Sequence, residues 1–198
     1  MILLCVTTAT KEHSVDKMRV LVIFGSPHSN GPSAQLLQAL LNSLPDNAVI
    51  SRFDCFKRAP LPCTDCRACF VDNRCILTDI DDFYQNLKNA DALIFVSPVY
   101  NLSFPAPMKA LIDRMQCYWA ARFKRGIRPP IAKPKTAVLI TACGNDSIKG
   151  GQFLEHQLKP VLTLLNAQLI KTVHYFGSDK NRPIEPFLKK AADAAGQL

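Results

Sequence analysis

The sequence predicts one α/β domain built on a parallel sheet with helices on both faces. Five short apolar runs alternate with amphipathic helical segments along the chain, the pattern of parallel strands joined by helical crossovers. The runs are nearly continuously apolar, as strands buried on both faces are, instead of alternating. At 198 residues the chain can close one full core and is short for two.

The first strand is Arg19–Phe24, followed by a turn-rich loop from Gly25 to Ser33. A helix opens at Pro32, with Leu36, Leu37, Leu40, Leu41 and Leu44 on one stripe, and Pro45-Asp46-Asn47 breaks it. Val49–Phe53 reads as the second strand. Thr78 resembles an N-cap with acidic Asp81 three positions on, opening a helix to about Asn89. Ala92–Ser97 is the third strand. Pro105 or Pro107 starts a helix with Met108, Leu111, Ile112 and Met115 at helical spacing, ended by the Tyr118-Trp119 pair. Thr136–Thr141 is the fourth strand, Gln152–Leu165 a helix, Gln168–Tyr175 the fifth strand and Pro186–Ala195 a closing helix. Residues 1–17 match none of this pattern and read as an N-terminal extension before a domain spanning 18–198.

The composition, 48% hydrophobic and 20% charged, is that of a folded globule. No run has the length of a membrane span. Met1–Val6 lacks a basic flank and is too short for the apolar part of a secretory signal. The eight cysteines are therefore read as reduced thiols of a cytoplasmic protein, not as a disulfide framework. Much of the net charge of +8 lies in Arg122, Lys124, Arg125, Arg128, Lys133 and Lys135, a run without an acid. No nucleic-acid module surrounds it. It reads as a solvated loop, with steering of an anionic cofactor as the second reading.

Ligands of parallel sheets bind beyond the carboxyl ends of the strands, which singles out the loops 25–33, 97–105 and 141–151. The first has neither a G-x-G-x-x-G nor a P-loop fingerprint. It offers Ser26, Ser29, Asn30 and Ser33 beside a helix N-terminus, a set that can hold a terminal phosphate without lysine or metal. The same residues serve ordinary turns and caps. The second loop presents the flat faces of Tyr100 and Phe104 with polar Asn101 and Ser103, the mixture an aromatic ring system with polar edges requires. The third places small residues, Cys143 and Gly144, where a ring edge could approach backbone.

Cys63, Cys66, Cys69 and Cys75 follow the spacing C-x2-C-x2-C-x5-C. Four thiolates on one loop suit a [4Fe–4S] cluster or a closed zinc site, and a loop of reduced free thiols is the third reading. Cys5, Cys55, Cys117 and Cys143 lie apart and are not part of the set.

Gly25-Ser26-Pro27 after the first strand, the four-cysteine loop, and Ser97-Pro98-Val99-Tyr100 followed by Lys109-Ala-Leu-Ile-Asp113-Arg114 occur in this order. Together they resemble the NAD(P)H-dependent FMN reductase family, within it the iron–sulfur flavoprotein branch. The resemblance covers about Met18 to the C-terminus. It implies a flavodoxin-like three-layer sandwich with strand order 2-1-3-4-5, and FMN held without covalent attachment. It also implies NAD(P)H as electron donor, an electron acceptor of unknown identity, and a homodimer or homotetramer. By position, Ser26, His28, Ser29, Asn30 and Ser33 would hold the phosphate. Pro98, Val99, Tyr100, Asn101 and Leu102 would border the ring, with Cys143 and Gly144 at its far edge, and Cys63, Cys66, Cys69 and Cys75 would carry the cluster. The chain departs from the family pattern at His28, where Arg is frequent, at Pro32-Ser33, where Asn-Thr is frequent, and at Asp65, where Gly is frequent. The function expected is an FMN oxidoreductase passing electrons from NAD(P)H to an acceptor, with no catalytic side chain named. The alternatives are an electron carrier without a small-molecule substrate and a zinc-stabilised binding module.

Overall fold

The computed structural model describes residues 17–72 and 74–198; the expected N-terminal extension except Lys17, with Cys5 in it, lies outside the described residues. Five strands, β1 (Arg19–Phe24), β2 (Val49–Asp54), β3 (Ala92–Pro98), β4 (Lys135–Cys143) and β5 (Ala167–Phe176), form one all-parallel sheet in the order β2-β1-β3-β4-β5. This is the expected order. Alternate residues of β1 feed two separate cores. Leu21 and Ile23 face one, Val20, Val22 and Phe24 the other, which is why the strand reads as unbroken apolar sequence.

The helices are α1 (Pro32–Leu41), α2 (Asp81–Asn89), α3 (Ala106–Asp113), α4 (Gln116–Phe123), α5 (Lys149–Leu164) and α6 (Glu185–Ala195). Leu36, Leu37 and Leu40 of α1 pack with Ala191, Ala194 and Ala195 of α6 on one face. Phe83 and Leu87 of α2, Met108 and Leu111 of α3, Tyr118 of α4, and Leu154 and Leu158 of α5 cover the other. Each buried aliphatic side chain is worth about 1.5–3 kcal/mol relative to exposure.

Three local expectations are corrected. Thr78 does not cap α2; Ile80 holds that position without a side-chain cap, and α2 begins at Asp81. The neighbouring Asp79 carboxylate instead accepts hydrogen bonds from the Leu61 backbone and from Arg114. The single helix expected from Pro105 to Trp119 is two helices. The backbone tightens to i→i−3 bonds at Arg114 and Met115, at the point where the Arg114 side chain is buried, 1% exposed. Finally, α5 starts at Lys149 and takes Gly150 and Gly151 into its first turn, despite the helix cost of about 1 kcal/mol per glycine.

Candidate functional site

The three loops singled out by the sequence meet along the carboxyl edge of β1, β3 and β4. The Gly25 N–H donates to the Val96 carbonyl of β3 (2.7 Å) and the Val99 N–H to the Ala142 carbonyl (2.9 Å), so hydrogen bonds tie the first loop to β3 and the second loop to the third. A Cβ on Gly25 would overlap Met108 Sδ; only glycine lets β1 end this close to α3. From there the chain emerges as exposed Pro27, His28, Ser29 and Asn30 before entering α1. The hydroxyl-bearing Ser26 and Ser33 are buried at either end of this turn. The Ser26 hydroxyl accepts a bond from the His28 N–H (3.2 Å), which shapes the turn. No side chain caps the N-terminus of α1, leaving its positive end open to an anion. Pro32, at the first position, contributes no donor.

The second loop is a two-residue turn. Tyr100 and Ser103 exchange backbone hydrogen bonds of 3.0 and 2.9 Å, with Asn101 (φ +50°) and Leu102 (φ +60°) both left-handed, the geometry of a type I′ turn. Gln157 of α5 clamps it: its Nε2 donates to the Leu102 carbonyl (3.1 Å) and its Oε1 accepts from the Ser103 hydroxyl (3.2 Å). The turn therefore projects Tyr100 and Leu102, which are exposed, while Phe104 is core and unavailable to a ring. The sequence did not mark Gln157; a glutamine on a helix gives no local signal of a long-range clamp.

The third loop is held from both sides. Asp179 N–H donates to the Gly144 carbonyl and Gly177 N–H to that of Asn145, and Arg182 pairs with Asp146 (2.6 Å). A side chain on Gly144 would collide with the Asp179 carboxylate. Beneath the loop runs a polar chain. Thr141 Oγ1 lies 2.9 Å from His174 Nδ1, His174 Nε2 lies 3.2 Å from Glu155, and Glu155 pairs with Lys159 (2.7 Å). Burial raises the Glu155 carboxyl, but Lys159 and His174 outweigh it and leave the group below its ordinary range. Gly150 and Gly151 are the residues that let α5 approach Cys143 and this chain.

These residues fit a flavin mononucleotide: buried hydroxyls and an uncapped helix end at one side, a projecting aromatic turn and small residues at the other.

The four-cysteine loop lies elsewhere, against α3 and α4. Cys63, Cys66, Cys69 and Cys75 all border one cavity of about 620 Å³, together with Asp65, Arg67, Phe70, Asp113, Arg114, Cys117, Trp119 and Lys124. Among the described residues, no three His, Cys, Asp or Glu side chains converge on a point as ligands of a single ion. The four thiols share the lining of this cavity without converging. Burial, followed by the proximity of Cys75, Cys63 and Cys66, raises the Cys69 thiol above its ordinary value. Cys117 borders the same cavity although it is distant in sequence; burial pushes its thiol up to about 12, which disfavours the thiolate.

Arginines hold the loop. Arg114 donates from Nη1 to the Leu61 carbonyl (3.0 Å) and Asp79 (2.8 Å), and from Nη2 to the Leu77 carbonyl (2.7 Å). It thus clips both ends of the segment that carries the cysteines. Arg125 Nη1 donates to the carbonyls of Cys69 (3.0 Å) and Asp72. Trp119 lies against Phe70 with ring centroids 6.1 Å apart, so Trp119 packs on the loop, and Tyr118 is core beside Tyr84. The basic run is accordingly not a solvated loop throughout: Arg125 grips the cysteine segment, Lys133 pairs with Asp91 (2.6 Å), and Lys135 is buried. Asp65, at the position where the resemblance favours glycine, has φ +50°, a left-handed conformation that glycine adopts freely and Asp tolerates.

Residues 18–181 match the model of the NADPH-dependent FMN reductase family. An iron–sulfur flavoprotein of Methanocaldococcus jannaschii is 33% identical over 99 residues, 49% of this chain and 51% of that protein. The chain therefore spans about half the length of this curated relative. A quinone reductase of Escherichia coli is 22% identical over 86% of this chain and 83% of its own. Among solved structures, the NAD(P)H:quinone oxidoreductase from Methanothermobacter marburgensis shares the fold, with a TM-score of 0.66, 21% identity, and coverage of 90% of this chain and 96% of that one. With the match extending over most of the sequence, from β1 to the segment before α6, the chain belongs to the NADPH-dependent FMN reductase family.

Proposed function

We propose that the protein is an FMN-dependent oxidoreductase that takes electrons from NAD(P)H and passes them to an acceptor, with a [4Fe–4S] cluster on the cysteine loop. The observation that carries the flavin reading is the meeting of the three loops on the carboxyl ends of adjacent strands. The family match supports it. Bound FMN would supply the two-electron chemistry. Ser26, Ser33 and the N-terminus of α1 would hold the phosphate, and His28, Ser29 and Asn30 would close over it. Pro98–Leu102 would flank the ring, with Tyr100 and Leu102 excluding water from its face. Cys143 and Gly144 would meet the opposite edge, stiffened by the bonds from Gly177 and Asp179.

The cluster reading on Cys63, Cys66, Cys69 and Cys75 rests on their spacing along one loop and on the names of relatives such as the Methanocaldococcus protein. A bound cluster would supply one-electron steps. Helix α3 leaves the Tyr100 turn at one end and reaches the cysteine cavity at Asp113 and Arg114. Its eight residues span about 12 Å, a length that would let the two proposed redox sites exchange electrons. A quinone-type acceptor agrees with the relatives' names.

The test is anaerobic mixing of flavin-loaded protein with NADH or NADPH, followed by an acceptor panel of quinones. Bleaching of the flavin by a reduced nicotinamide, and its return on adding quinone, is the expected result. Flavin that neither nicotinamide reduces would reject the enzyme reading, and flavin reoxidised only by a protein acceptor would favour the carrier.

A further inference from the structure

The turn after β3 holds a residue in a conformation its own chemistry disfavours. Asn101 and Leu102 are both left-handed, with φ of +50° and +60°. Asn tolerates that region, but the Cβ of a leucine is strained there. Asn-Gly is the pair that forms this turn unaided; here Leu102 stands where glycine is favoured. Packing within the chain does not offset the strain, because Leu102 is 53% exposed. Strained residues persist only where their surroundings fix them, and they gather at ligand sites. Gln157 is what fixes this one. Its Nε2 donates to the Leu102 carbonyl (3.1 Å) and its Oε1 accepts from the Ser103 hydroxyl (3.2 Å), so the donor and the acceptor of one amide hold consecutive residues of the turn. Gly150, two turns earlier on the same face of α5, brings the helix alongside: a Cβ there would lie 3.1 Å from Val99.

We propose that Gln157 is a positioning residue of the flavin site: its amide supplies the constraint that glycine at position 102 would otherwise provide, so that a leucine side chain, with Tyr100 beside it, can stand as a fixed wall against the isoalloxazine ring. The inference rests on the flavin reading above. Gln157 acts through the backbone of the Tyr100–Ser103 turn and takes no part in the chemistry. A wall fixed before the ligand arrives spares the cost of ordering the turn on binding. Because that wall meets the ring and not the phosphate, FMN and riboflavin depend on it alike.

The experiment titrates the full-length apoprotein with FMN and with riboflavin, in wild type and Leu102→Gly backgrounds, each with and without Gln157→Leu. In the wild-type background Gln157→Leu should weaken both flavins about tenfold, the worth of one to two lost hydrogen bonds. The visible absorption bands of the bound flavin should move toward those of free flavin. Gln157→Glu keeps the acceptor for Ser103 and loses the donor to Leu102, and should fall between the two. In the Leu102→Gly background, where Asn-Gly holds the turn by itself, Gln157→Leu should cost about threefold at most. An equal loss in both backgrounds is the mark of general loosening and overturns the inference. So does a loss confined to FMN, or a Gln157→Leu protein that binds both flavins like wild type; each of these leaves the flavin reading standing. If Gln157→Leu fails to fold, Gln157→Glu in the two backgrounds decides by the same comparison. A wild type that binds neither flavin overturns both.

Discussion

Replacing Asp79 by Ala should loosen the cysteine loop by a predictable amount. Asp79 accepts from Arg114 Nη1 (2.8 Å) and from the Leu61 N–H (2.8 Å). Breaking a fully buried ion pair from one side costs about 3–5 kcal/mol. Asp79 is 24% exposed, so water can partly replace it, and Arg114 keeps two carbonyl acceptors; about 1–2 kcal/mol of that cost should survive. The lost Leu61 bond adds about 1 kcal/mol, giving about 2–3 kcal/mol. Asp79→Asn keeps an acceptor for Leu61 and should cost less. Burial raises the Asp79 carboxyl, but the Leu61 N–H and Arg114 outweigh it and hold the group below its ordinary value. Its stabilising contribution is therefore full above the unfolded carboxylate pKa of about 3.9 and is lost as pH falls through the lower folded value. Urea unfolding of wild type, Asp79→Ala and Asp79→Asn, from neutral pH down to about 3, reads the effect. Rates of thiol modification at Cys63 and Cys66 report the loop directly. Asp79→Ala within about 0.5 kcal/mol of wild type, or a difference from Asp79→Asn that does not shrink in acid, would refute the clip.

Gly151→Ala should destabilise the domain by about 1–3 kcal/mol, because its Cβ would lie 2.5 Å from His174 Nδ1 and 2.7 Å from Thr141 Oγ1. Thermal melts should show Gly150→Ala, whose nearest clash is 3.1 Å from Val99, to be milder, and the reverse order would count against this packing. Burial, then Lys133, lowers Lys135 to about 8. Between that value and the unfolded lysine value of about 10.4, the unfolded chain binds the extra proton, so this group's contribution to stability rises with pH. The stability of wild type relative to Lys135→Met should accordingly climb from about pH 8 to about pH 10, and a flat difference would contradict the shift. Tyr100 and Leu102 of the second loop, and Ile148 and Phe153 at the start of α5, are exposed apolar side chains that a homo-oligomer would cover. Light scattering should give a dimer or tetramer that Phe153→Asp weakens, and a wild-type monomer at micromolar concentration would exclude it.

Strand positions and the loop edge were legible because burial on both faces leaves a compositional trace. Val20 to Phe24 and Ala92 to Val96, short apolar runs bounded by turn residues, read as strands between two cores. The place of Ser26 and Tyr100 on loops at the carboxyl edge of the sheet was legible from their positions after β1 and β3. The break at Arg114 was not, since Met108, Leu111, Ile112 and Met115 keep helical spacing across it; a long-range demand from Leu61, Leu77 and Asp79 overrides local propensity. The same holds for Thr78, whose capping pattern loses to the commitment of Asp79. The basic run misled because charge density carries no information on partners: Arg125 is used by Cys69 and Asp72, more than fifty positions away in sequence. The departure at Asp65 became intelligible only with its backbone angle.

The flavin site is tested most directly by titrating apoprotein with FMN, riboflavin and FAD under flavin fluorescence. FMN should bind tighter than riboflavin, by the phosphate's hydrogen bonds, and tighter than FAD. The Ser26→Ala/Ser33→Ala double variant should lose about 1–3 kcal/mol of FMN binding and leave riboflavin unchanged. Equal affinity for FMN and riboflavin, a preference for FAD, or no flavin binding would contradict a phosphate held between β1 and α1.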